Sequence, residues 1–144
     1  MQIKVDEIEA DIFRIAIFPQ DGFISFNQFL IRDDEPALVH TGHKQTFDVI
    51  RNEVAKLIDP ATIKYFCSSH YEPDECGSLN KWLQVSPNAV ACVNKICESS
   101  LKDFAIKPSM VLRDGDKLNL GNHELLFLET PHFPHNRERT IPAS

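Results

Sequence analysis

Apolar positions along the chain switch between two repeats. Residues 13–18 and 23–31 are rich in phenylalanine and isoleucine, which favour strands. Between them, Pro19, Asp21 and Gly22 supply turn chemistry, and a second polar turn covers 32–36. Residues 37–40 read as a third strand, ending at Thr41-Gly42. These short connections predict an antiparallel meander. The repeat then becomes helical. Phe47, Ile50, Val54 and Leu57 fall on one face of a helix predicted over 47–58. Thr46 is its expected N-cap, Asp48 suits its positive end, and Asp59-Pro60 stops it.

The second half alternates. A buried strand is predicted at 63–67, then a polar run at 68–74, then a helix holding Leu79, Trp82 and Leu83. Pro73 suits a first helical turn. A strand at 88–93 and a short helix at 94–101 follow, and 117–120 pairs with 124–128 across Gly121-Asn122. The expectation is an α/β chain whose sheet carries helices on its outer face.

Composition narrows the function. The 144 residues suit one domain with its own core, with 42% apolar and 25% charged residues. A formal net charge of −6 and the lack of any basic run argue against a nucleic-acid partner. The start does not resemble a signal peptide, and no apolar run is long enough to span a bilayer, so the chain reads as soluble and cytoplasmic. Cys67, Cys76, Cys92 and Cys97 contain no Cys-x-x-Cys pair, which disfavours a zinc knuckle and predicts four reduced thiols. Cys76 stands out because it lies inside an acidic cluster.

That cluster carries the chemistry. His70, Glu72, Asp74 and Glu75 fall within six residues, directly after a predicted strand. In an extended loop alternate residues share a side, so His70, Glu72 and Asp74 can converge. One imidazole with several carboxylates suits iron or manganese better than copper or thiolate-bound zinc. The structural alternative is a polar loop with a helix cap at Asp74. A second cluster, His132 and His135, also follows an apolar strand and could add a ligand; alternatively both are solvated histidines.

In these features the sequence resembles the metallo-β-lactamase superfamily, whose hallmark is His-x-[His/Glu]-x-Asp after a strand. Stretches 27–31, 37–42, 114–121 and 130–132 match its landmarks in order, so the resemblance spans 13–135. Glu72 is similar to the glutamate of the oxygen-binding di-iron branch, which includes the catalytic domain of flavodiiron proteins; zinc hydrolases usually carry histidine there. The resemblance implies an αββα sandwich and a non-haem di-iron domain that binds or reduces O2 or NO. It implies His70 and Glu72 on one iron and Asp74 on the other. His135 matches the branch's third histidine region best, with His132 and Glu75 as secondary candidates. Zinc and manganese are the alternative metals. With no flavin motif in the chain, electrons would come from a flavodoxin-like or rubredoxin-like donor.

Three departures qualify the resemblance. Flavodiiron proteins often have histidine at the place of Glu75. His40 stands where the wider superfamily often has aspartate, and it and His43 are expected to be structural. The family pattern also continues past His135 to a bridging aspartate and a later histidine. Here 1–135 supplies one half of the sandwich plus the first strands of the next, and 136–144 is an atypical polar tail. A truncated or rearranged product is the expectation, with exposed apolar sheet surface that favours pairing of copies. Two other functions stay open: a zinc-dependent hydrolase of the same fold, and a non-catalytic remnant.

Overall fold

The computed structural model describes residues 1–20, 24–69 and 71–129, and the backbone of a last strand at 140–143. His70, His132 and His135 lie outside the described residues. Strands β1 (Gln2–Glu9), β2 (Ile12–Phe18), β3 (Phe26–Ile31) and β4 (Ala37–Val39) form the expected meander, each antiparallel to the last. Then β5 (Tyr65–Cys67), β6 (Val90–Val93) and β7 (Met110–Val111) continue the same sheet in parallel. The seven strands lie in chain order. Parallel neighbours need crossovers, and α1 (Phe47–Ala55), α3 (Leu79–Val85) and α4 (Lys95–Leu101) lie in them. A one-turn helix, α2 (Pro73–Cys76), precedes α3.

Alternation along the strands builds two cores. On one face Phe13, Ile15, Leu30, Leu38 and Phe66 meet Ile50 and Val54 of α1, Trp82 of α3 and Leu101 of α4. On the other, Ile31, Val39, Tyr65, Cys67 and Cys92 meet Leu118, Leu125 and Phe127 of a second sheet. That sheet is β8 (Lys117–Asn119), β9 (Glu124–Glu129) and β10 (Thr140–Ala143), with β9 in the middle. The layers are therefore helices, a large sheet and a small sheet. On the outer face of β9, Leu126 is half-buried and Leu128 exposed.

Several local expectations need correction. Thr46 holds the N-cap position of α1 but makes no side-chain capping bond: a 3-10 turn, Lys44–Thr46, runs into the helix, and the Thr46 hydroxyl donates back to the His43 carbonyl at 3.0 Å. The helix ends at Ala55, short of the expected stop at Asp59-Pro60, and Asp59 instead caps the turn Pro60–Thr62, accepting from Ala61 N at 3.0 Å. Strand β1 carries too few apolar residues to declare itself; it is held by backbone pairing with β2. Within the expected polar tail, Thr140–Ala143 pairs antiparallel with residues 126–129 of β9. Main-chain groups drive that pairing, so polar side chains nearby do not prevent it.

Candidate metal-binding loop

The loops after β4, β5 and β6 leave parallel strands at the same sheet edge, where α/β folds place ligand sites. Ser68 and Ser69 follow β5 and are buried. Glu72 is extended (φ −141°, ψ 153°) and holds the N-cap position of α2, although its side chain makes no capping bond. Pro73 takes the first helical position, as expected. Asp74 and Glu75 sit in that first turn.

The helix alters the expected convergence. Side chains alternate only while the chain is extended, and it stops being extended at Pro73. Glu72 lines a cleft of about 290 Å³ with His43, Lys44, Tyr71, Cys76 and Phe104. Asp74 lines another, about 280 Å³, with Phe26, Asn27, Phe29, His40 and Glu75. Asp74 is inside the helix rather than its cap, which removes the capping alternative. Among the described residues no three His, Cys, Asp or Glu side chains gather into a metal-holding group. The donor chemistry nevertheless fits a hard cation: Glu72 and Asp74 are partly exposed carboxylates that open onto clefts beside a strand-end loop.

Glu75 faces inward. Its Oε2 accepts from Ser69 N at 3.1 Å and Ser69 Oγ at 2.6 Å, and lies 3.3 Å from His40 Nε2. His40 Nε2 is also 3.3 Å from Ser69 Oγ. The Glu75 carbonyl accepts from Thr41 N at 2.7 Å and Thr41 Oγ1 at 3.0 Å. Ser78 Oγ then donates to the Thr41 carbonyl at 2.7 Å. His40 adopts φ +65°, unusual for a residue with a side chain, and its N–H donates to the Cys67 carbonyl at 2.8 Å. Positions 40 and 75, two of the departures from the family pattern, are thus partners. Sequence reasoning missed this contact because 35 residues and a strand crossover separate them. The structural role expected of His40 agrees with this network, and His43 packs edge-on against Phe26 at 4.7 Å.

All four cysteines are buried, and no disulfide joins them among the described residues. Burial, with the nearby Glu75, Asp74 and Glu72 charges adding, pushes the Cys76 thiol up to about 12 against a backbone hydrogen bond of Glu72. Cys76 is therefore a neutral thiol at ordinary pH. No helix among the described residues is long and apolar enough to cross a membrane.

A helix-backed mixed sheet with a second sheet on its far face, and an acidic loop after β5, define a metallo-β-lactamase-type fold. The chain belongs to the family described as ODP family beta lactamase, which matches residues 24–141. It is 32% identical over 141 residues to diflavin flavoprotein A 1 of Synechocystis sp. PCC 6803, covering 94% of this chain and 24% of that protein. It is 29% identical over 127 residues to a flavo-diiron protein of Clostridium acetobutylicum, covering 86% of this chain and 32% of that one. The rubredoxin oxygen:oxidoreductase of Desulfovibrio gigas has the same fold, with TM-score 0.84 at 18% identity over 96% of this chain and 38% of its own. The chain thus spans about a quarter to a third of the length of the relatives it matches here.

Proposed function

We propose that this chain is the metal-binding part of a non-haem di-iron domain that binds or reduces O2 or NO. The observation that carries the reading is Glu72: a carboxylate, where hydrolases of this fold usually have histidine, extended at the strand-end loop and opening onto a cleft. His70 and Glu72 are the ligands proposed for one iron and Asp74 for the other, with His135, or His132 in its place, as the further ligand. Two relatives with flavin or flavo-diiron names and a neighbour named as a rubredoxin oxygen:oxidoreductase support this reading. An iron pair, when bound, supplies redox electrons and open positions for a diatomic ligand. The chain's own carboxylates hold negative charge at that edge, and the Cys76 thiol stays protonated beside them. A flavodoxin-like or rubredoxin-like protein or domain is the proposed electron donor.

The test is anaerobic reconstitution of the chain with ferrous iron, followed by metal analysis. Uptake of about two irons per intact family site, lost on changing Glu72 and Asp74 to alanine, is expected. No iron uptake leaves the remnant reading. Zinc retained in preference to iron favours the hydrolase. Glu72→His should move preference toward zinc, and an unchanged preference removes Glu72 from the ligand set.

A further inference from the structure

We infer that Glu75 is a positioning residue, not a metal ligand: its carboxylate, gripped by Ser69 and His40, closes the loop that carries His70, Glu72 and Asp74. The inference rests on the metal-site reading above for the role of the loop. Its geometry stands independently. Ser69 is the residue just before His70, and Glu75 the residue just after Asp74. The Ser69–Glu75 bonds therefore tie together the two ends of the segment that bears all three proposed ligands.

Three contacts meet on one carboxylate oxygen. The Ser69 hydroxyl at 2.6 Å is in the range of a charge-assisted bond, the Ser69 amide donates at 3.1 Å, and His40 Nε2 is 3.3 Å away. A metal ion at the same oxygen would have to displace them. The Glu75 side chain is 7% exposed, against 22% for His40, so losing a partner would leave buried polar groups poorly satisfied. The main chain of Glu75 is fastened as well, by Thr41. One residue thus joins the ends of β4 and β5 through both its backbone and its side chain. A loop closed in this way has lost much of its freedom before any metal arrives, and that lowers the entropic cost of binding. Partners that orient ligands without touching the metal affect affinity strongly, typically about 10- to 100-fold.

The experiment compares the wild-type chain with Glu75→Gln, Glu75→Ala and Ser69→Ala, using ferrous iron uptake and the visible spectrum of the cobalt(II)-substituted protein. Glutamine with its amide oxygen in that position keeps an uncharged acceptor for the Ser69 amide and hydroxyl and for His40 Nε2. Glu75→Gln should therefore bind metal within about tenfold of wild type, with unchanged cobalt bands. Glu75→Ala should weaken binding about 10- to 100-fold, yet give the same bands at saturation, because the ligands are intact. Ser69→Ala, which removes one of the three contacts and leaves the carboxylate in place, should fall between them. Altered cobalt bands in Glu75→Gln, or a loss of one metal equal to that in Glu75→Ala, would make Glu75 a ligand and overturn the inference. Equal affinity in all four proteins would overturn it too. Should the wild-type chain take up no metal, the metal-site reading fails, and amide exchange across 69–76 decides the brace. Faster exchange in Glu75→Ala, restored in Glu75→Gln, supports it; equal rates reject it.

Discussion

His123 Nδ1 lies 2.7 Å from Asp33 Oδ2, while His123 Nε2 lies 2.8 Å from the Ala10 carbonyl. Both ring nitrogens face acceptors, an arrangement that favours the doubly protonated imidazolium. It ties the β8–β9 turn of the small sheet to two turns of the large one. Asp33 also accepts from the Asn122, His123 and Asp34 amides. Asp11 adds negative charge nearby and is itself paired with Arg32 at 2.8 Å.

This clamp predicts a stability plateau with two falling edges. The Asp33 bond raises the His123 pKa above 6.5 against the effect of burial, and the Ala10 carbonyl and Asp11 charge add to it. That contribution is complete below about pH 6.5 and is lost as pH rises through the raised value. Burial pushes Asp33 up, but its bonds from Asn122, His123 and Asp34 together outweigh it and hold the carboxyl at about 2. That contribution is complete above about pH 4 and is lost as pH falls toward 2. Thermal melts across pH should show the gap between wild type and His123→Gln shrinking on the alkaline side. A constant gap would exclude the charged clamp.

Gly42 should not tolerate alanine. Its φ is +83°, and a β-carbon there would stand 2.5 Å from Ile50 Cδ1 in the core. Backbone strain and overpacking together should cost about 2–4 kcal/mol. Urea unfolding of Gly42→Ala should show a lower midpoint at unchanged slope. A midpoint equal to wild type would show that Ile50 moves aside freely.

Trp82 should divide packing from polar satisfaction. It is fully buried, 5.2 Å from Phe47 edge-on and 5.6 Å from Phe66, and its indole N–H has no acceptor among the described residues. Trp82→Ala should cost about 3–5 kcal/mol. Trp82→Phe loses volume but also removes an unsatisfied donor, so its cost should stay below about 2 kcal/mol. Equal losses in chemical denaturation would remove the polar term.

Asn94 caps α4, accepting from Cys97 N at 2.8 Å. Asn94→Ala should lose about 1–2 kcal/mol, and Asn94→Ser should recover part of it, both read by denaturation. No difference between alanine and serine would mean the cap contributes nothing.

Features set by near neighbours were legible in the chain. The face of Phe47, Ile50 and Val54, the hairpin about Gly121-Asn122, and Pro73 opening a helix all follow from local sterics and repeat, and the structure contains each. The acidic loop was likewise located correctly after β5, since a strand followed by polar ligand-type residues is a local signal. Thr46 sits at the expected N-cap position, but its hydroxyl turns back to the His43 carbonyl because a 3-10 turn precedes the helix, a feature that composition does not encode.

Residue order alone therefore settled most of the strands and helices, though not β1, β7 or β10, and that Glu72 and Asp74 follow a strand. It did not settle where their side chains open. Asp74 leaves the extended pattern because Pro73 begins a helix, and Glu75 turns inward because β4 delivers His40 beside it. The same holds for His123, whose charged form is favoured only because three distant turns meet around it. Contacts across 35 to 113 residues depend on strand order and layer packing, and those are decided by burial of the whole chain at once rather than by any one segment.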